Sequence, residues 1–380
     1  MTILFLDQFS QIAGAQRCLL DLMPAIRARG WETYAAVPGN GPFIEALTSC
    51  RVPVHAIPCA AYSLGHKTAG DIRRFTGEFP RQAAQVSRLI EHTGPDLLYV
   101  NGPRLLPAAA WAARHGPPLL FHSHNYLASK SSATLAGVAL ATARAEVVAC
   151  CRFVTRPLAR YVSPARVHVV YNGVPGPARA TRRPPGKSWR VGMIGRTGLD
   201  KGQEVFIEAA RLLAGRGAPC KFLICGVPLL IESAYLDRLK HQASGLPFTF
   251  LPWQPDPAAV FAQLDLLVVP SSWTEATPRV IMEAFSAGVP VLAFRRGGIP
   301  EIAEDGKTAL LLDEFTPAAL AGAIAHLVDK PGLATELAQN AAAAAHERFS
   351  VARYQGEVTA IIEELVFRKA ASALRTGARQ

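Results

Sequence analysis

No apolar run in these 380 residues approaches the roughly 18–20 residues that a bilayer-spanning helix needs. Residues 1–7, Met-Thr-Ile-Leu-Phe-Leu-Asp, are too short and too soon interrupted for the apolar region of a signal peptide. These absences predict a cytoplasmic chain. Cysteine offers no framework either. The seven cysteines are odd in number and include no Cys-x-x-Cys pair, which argues against both a disulfide scaffold and a zinc site. Repeats of about 20–50 residues are missing. So are a Walker A loop, a Gly-x-Gly-x-x-Gly fingerprint and any Asp-x-Asp. No zinc finger or RNP-like aromatic motif accompanies the basic residues, so nucleic acid is not an expected partner.

The chain that remains is globular, 50% hydrophobic and only 18% charged, and long enough for two domains. Short apolar runs alternate with helical patterns. Residues 2–7, 32–37, 53–57, 97–100, 119–122, 147–149 and 167–170 read as strands, with helices over 15–29, 71–92 and 105–115. Residues 173–188, rich in Pro, Gly and charge without periodicity, read as an interdomain linker. The alternation then restarts. Strands are expected at 189–194, 221–225, 248–251, 266–269, 289–294 and 309–312, with helices starting at Gln203, Ile231, Ala258, Arg279 and Pro317. The reading is α/β: two Rossmann-like α/β/α domains, 1–172 and 189–348, facing a central cleft, with a C-terminal helix over 349–380 packing back toward the first. The net charge of +11 is lopsided, with 18 Lys and Arg against 9 Asp and Glu in residues 1–180 and 22 against 20 in the rest. A basic first half suits an anionic membrane surface or another acidic partner, and would equally serve solubility alone.

Candidate chemistry gathers where strands end. Glu275 and Glu283 stand eight positions apart, the first in a loop after the apolar run 266–269 and the second within a helical pattern. An open α/β sheet presents carboxylates to a ligand in this way. After the strand at 189–194 comes Gly195-Arg-Thr-Gly-Leu-Asp-Lys201-Gly202, with two cations five residues apart ahead of a helix start, which suits a diphosphate. Gly14 lies between the first strand and its helix, where backbone can approach a ligand closely. His122 and His124 follow a buried strand and fall on one side of it; a metal would need a third ligand, and none stands at useful spacing.

Taken together, these segments resemble a retaining glycosyltransferase of the GT-B fold, of the large family 4 (group 1) type, over essentially the whole length. The most specific part is Glu275-x7-Glu283 with the following Ala-Phe-Ser-Ala-Gly-Val-Pro-Val and residues 297–302, Gly-Gly-Ile-Pro-Glu-Ile. The resemblance implies a donor site for a nucleotide-diphosphate sugar. Arg196 and Lys201 would hold the diphosphate, Glu283 the ribose hydroxyls and Glu275 the transferred sugar. The backbone of Thr277, Pro278, Arg279 and Val280 would line the sugar and phosphate, and Gly14 would bring N–H groups to the distal phosphate. His124, with His122 as runner-up, matches the histidine placed near the reacting sugar carbon. The implied activity is hexose transfer to a saccharide or lipid-linked acceptor in cell-surface polysaccharide or glycoconjugate synthesis. No cofactor or metal is expected, since the cation pair and the helix end supply the electrostatic stabilisation.

Two departures stand out. Many relatives carry Glu-Gly-Phe-Gly where this chain has Glu275-Ala-Thr-Pro278, and proline removes one backbone donor. A glycine pair in the first domain is reduced to Ala13-Gly14. A nucleotide-sugar epimerase on the same architecture and a catalytically silent glycan-binding protein are the alternatives, and the paired acids speak against both. The resemblance names neither the donor base and sugar nor the acceptor.

Overall fold

The apolar runs form strands because each is buried on both faces of a parallel sheet, which favours near-continuous hydrophobic sequence over alternation. The computed structural model describes residues 1–60, 68–176, 188–226, 233–254, 257–271 and 275–377. Most of the 173–188 linker, the helix start at Ile231 and the approach to Glu275 at 272–274 lie outside the described residues. The chain divides into two units, Met1–Tyr171 with the C-terminal segment from Ala352, and Asn172–Val351.

The first unit holds β1 (Thr2–Leu6), β2 (Glu32–Val37), β3 (Val54–Ala56), β4 (Leu97–Val100), β5 (Leu119–Ser123), β6 (Glu146–Ala149) and β7 (Val167–Val169), all parallel, in the order β3-β2-β1-β4-β5-β6-β7. The second holds β8 (Trp189–Ile194), β9 (Cys220–Cys225), β10 (Phe248–Leu251), β11 (Leu266–Val269), β12 (Val291–Phe294) and β13 (Leu310–Leu312), in the order β10-β9-β8-β11-β12-β13. Each sheet therefore reverses direction beside its own first strand, between β1 and β4 and between β8 and β11. An open α/β sheet binds ligands at the carboxyl end of such a switch point, where the loops part to opposite faces.

The helices differ from the sequence pattern at instructive places. The helix Lys130–Thr142 is not expected from periodicity, because its Ala, Ser, Thr and Gly residues give no contrast between faces. Expected to start at Val289, β12 begins at Val291. The Val289 N–H instead closes the preceding helix on the Ala284 carbonyl, and Pro290 has no N–H to give a ladder. The last helix, Val351–Gly377, places Tyr354, Val358 and Ile362 one turn apart in the core of the first unit, among Phe5, Leu22 and Leu97, each without solvent exposure. Burying each such side chain contributes about 1.5–3 kcal/mol. The first core is thus completed by the end of the chain.

Candidate functional site

In the second unit the loop after β8 is tied down by its own residues. The Gly195 N–H bonds the Cys225 carbonyl on the neighbouring strand, and the fully buried Gln203 donates from Nε2 to the Arg196 carbonyl at 3.0 Å. Gly202, at φ +79°, sits so close to the end of β11 that a Cβ would lie 2.0 Å from the Pro270 carbonyl oxygen. No side chain fits there, so the start of the helix Gln203–Gly215 is pressed against the β11 loop. That contact brings Lys201 to Glu275: the ammonium donates to Oε2, with side chains 19% and 13% exposed. Arg196 pairs with Asp200 at 2.5 Å and lies near enough to Glu275 to act on its charge.

Glu275 is held at both ends. Its backbone carbonyl accepts from the Gly298 N–H at 3.0 Å, and the preceding Gly297, at φ +57°, leaves no room for a Cβ, which would meet that same oxygen at 1.8 Å. Burial by itself would raise the Glu275 carboxyl. The charge and hydrogen bond of Lys201, the Ser271 hydroxyl and the charge of Arg196 together outweigh it and hold the group below its ordinary value. Glu275 is an ionised carboxylate with a fixed backbone and a cationic neighbour.

The third part is the helix Arg279–Ser286, whose first turn follows Pro278 at its N-cap. Here Arg279 and Glu283 pair at 3.4 Å across one turn, 9% and 17% exposed. The buried Thr277 hydroxyl has no hydrogen-bond partner among the described residues. Val280 lies half-buried in the first turn of this helix.

In the first unit Gly14 is the exposed first residue of the helix Gly14–Ala28. The two histidines of β5 and its loop separate sharply. His122 is buried, with Nδ1 2.5 Å from the Tyr99 hydroxyl, and burial followed by the neighbouring His124 keeps its imidazole well below its usual value. His124 is half-buried, its ring 3.8 Å from that of His122, and its Nε2 lies 2.9 Å from Asn101 Oδ1. Asn101 donates to Asp7 at 2.6 Å, and Gln16 donates to Asp7 at 2.9 Å. This buried network of Asp7, Gln16 and Asn101 escapes the sequence reading. Its one local signal is that Asp7 and Asn101 are each the first polar residue after a buried strand, β1 and β4, the two strands that flank the switch point.

Residues 13–173 match the model described as "Glycosyl transferase 4-like domain" and residues 177–344 the model "Glycosyl transferases group 1". The chain belongs to the group 1, family 4-type glycosyltransferases, with the two Rossmann-like domains of the GT-B fold. It is 35% identical over 186 residues to the D-inositol 3-phosphate glycosyltransferase of Corynebacterium glutamicum, covering 44% of each chain. It is 28% identical over 179 residues to the α-D-kanosaminyltransferase of Streptomyces kanamyceticus, covering 45% of each. The chain spans about half the length of the curated relatives it matches. Among solved structures, Anabaena Alr3699/HepE in complex with UDP and glucose superposes with a TM-score of 0.79 at 25% identity, over 96% of this chain and 99% of that one.

Proposed function

We propose that this protein is a retaining glycosyltransferase that moves a hexose from a nucleotide-diphosphate sugar to a saccharide or lipid-linked acceptor. The observation that carries the reading is the pairing of Lys201 with an ionised Glu275 across the β8 and β11 loops, at the switch point of the second sheet. A diphosphate takes the place of carboxylates beside Lys201 and Arg196, and the freed Glu275 receives hydroxyls of the sugar. Glu283 binds the ribose, and the Arg279 and Val280 N–H groups face the sugar and phosphate where Pro278 has none to offer. The donor base is uridine on this reading, supported by the UDP and glucose in the Anabaena complex. Gly14 and His124 are assigned to the same reaction.

Transfer proceeds on one face of the sugar. The bond from the anomeric carbon to the phosphate oxygen breaks with its electron pair going to the phosphate. The acceptor oxygen bonds to the same face, and its proton passes to the departing phosphate oxygen. Arg196 and Lys201 stabilise the charge that develops there, so the chemistry on this reading draws on no metal. The first unit also offers a membrane-facing surface. Arg73, Arg74, Arg81 and Arg88 are all exposed along the helix Ala69–Thr93, beside the 59% exposed Ile72. This supports a peripheral position at the inner face of an anionic membrane.

A thermal-shift screen against UDP, GDP and ADP and their hexose conjugates tests the donor site. UDP at a hundred times its Kd stabilises the fold by about 2.7 kcal/mol, and Glu283→Gln weakens that binding about tenfold, the value of one lost hydrogen bond to a charged group. If none of the nucleotides shifts the transition, the donor assignment is overturned.

A further inference from the structure

The donor site leaves the buried acid Asp7 without a role. Asp7 stands at the carboxyl end of β1, 1% exposed, and its hydrogen-bond partners are all donors: Asn101 Nδ2, Gln16 Nε2 and the Phe9 N–H. Burial pushes its carboxyl up to about 7 even though the Asn101, Phe9, Gln16 and Gln8 hydrogen bonds all work in the opposite direction. Above that pH it is an acceptor on both oxygens.

The amide orientations around it are fixed by backbone groups, whose donor and acceptor roles cannot be exchanged. Gln16 Oε1 accepts from the Ala13 N–H at 3.2 Å, so its Nε2 faces Asp7. Asn101 Nδ2 meets two acceptors, Asp7 Oδ2 at 2.6 Å and the Ala15 carbonyl at 3.4 Å, so its Oδ1 faces His124. An oxygen 2.9 Å from His124 Nε2 requires a proton on that nitrogen. In the neutral ring Nδ1 is then the accepting nitrogen. Buried neutral His122 lies against the ring face and limits its tilt.

We infer that Asp7 and Asn101 are positioning residues that act through His124, holding its ring in place and its proton on Nε2 so that Nδ1 is presented as the acceptor. The inference rests on the reading of His124 as a residue of the transfer site. The switch point of the first sheet thereby carries a chain of fixed hydrogen bonds that runs from backbone to imidazole.

Nitrogen-15 NMR of the full-length, histidine-labelled protein reads the tautomer directly. The His124 signals are assigned among ten histidines by their loss in His124→Gln. At a pH of about 8.5, two units above the usual imidazole value, wild-type His124 shows the Nε2–H pattern, and Asn101→Ala converts it to a mixture. Asn101→Asp keeps an acceptor toward His124, with one proton shared between its other oxygen and Asp7 Oδ2, and retains the Nε2–H tautomer. It serves also if the alanine variant does not fold. In parallel, UDP release from UDP-glucose falls about tenfold in kcat in Asn101→Ala, with KM unchanged, and His124→Ala lowers it no further in the double variant. An Nδ1–H tautomer in wild type, an unaltered tautomer in Asn101→Ala, loss of the Nε2–H tautomer in Asn101→Asp, or effects that multiply in the double variant overturns the inference. A wild-type rate in His124→Ala overturns the reading of His124 itself, and the inference falls with it.

Discussion

At the carboxyl end of β1 and β4 the first unit keeps one buried acid among neutral amides and rings. At the equivalent end of β8 and β11 the second unit keeps three ion pairs, Arg196–Asp200, Lys201–Glu275 and Arg279–Glu283, within partial reach of water. The strand order is the same around both switch points, so the difference lies in the loops beyond the strands. Buried neutral hydrogen bonds in a low dielectric are costly to break and therefore hold a posture. Partly solvated ion pairs gain little net energy and can exchange a carboxylate for a phosphate at small cost. On the proposed roles, one switch point orients and the other trades partners.

The sharpest way to break this comparison is pH. The folded-state value of Asp7, about 7, lies above its ordinary 3.8, so between these limits the native state holds a proton that the unfolded chain has released. The stability this proton contributes is complete below about pH 4 and is lost as the pH rises through about 7, with no further loss beyond. A shift of this size corresponds to roughly 3–5 kcal/mol. Urea unfolding of wild type against Asp7→Asn between pH 4 and 8 should therefore show a falling component in wild type alone. Parallel curves for the two proteins would remove the buried acid from the account.

The second switch point is tested by rate. Glu275→Gln keeps the shape and removes the charge that Lys201 holds. Turnover of UDP-glucose is expected to drop about a hundredfold, while calorimetric affinity for UDP stays within about threefold, since the residue is assigned to the sugar and not to the nucleotide. If UDP affinity falls in step with turnover, Glu275 belongs to the diphosphate and the division of labour between the two glutamates is wrong.

The two switch points were also unequally legible in the amino-acid sequence. Runs such as Leu97–Val100 and Leu266–Val269 announce themselves because buried parallel strands are apolar throughout. Arg196, Lys201, Glu275 and Glu283 come after such runs at short, regular spacings, so local reading brings them into view. The hydrogen bond from Asn101 to Asp7 joins residues 94 positions apart and exists only because β4 pairs with β1. No local pattern encodes that partnership. The same holds for Gly202 and Gly297, whose need for glycine arises from carbonyls of Pro270 and Glu275 in another loop.

The smallest expected effect concerns the surfaces, where the two halves differ again. Residues 1–180 carry nearly all the excess positive charge of the chain, and four exposed arginines of it line one helix of the first unit, Arg73, Arg74, Arg81 and Arg88. An arginine near an anionic surface contributes about 1 kcal/mol, falling off within a Debye length of about 8–10 Å. Flotation with vesicles containing phosphatidylglycerol should capture the protein at low salt and release it at about 0.5 M, where that length shrinks to a few ångströms. Replacing the four arginines with glutamine should weaken capture without altering UDP binding, because none of them is among the residues assigned to the donor. Equal capture by purely zwitterionic vesicles would mean that apolar contacts such as the exposed Ile72, and not charge, hold the protein there, and the asymmetry between the halves would then be one of solubility alone.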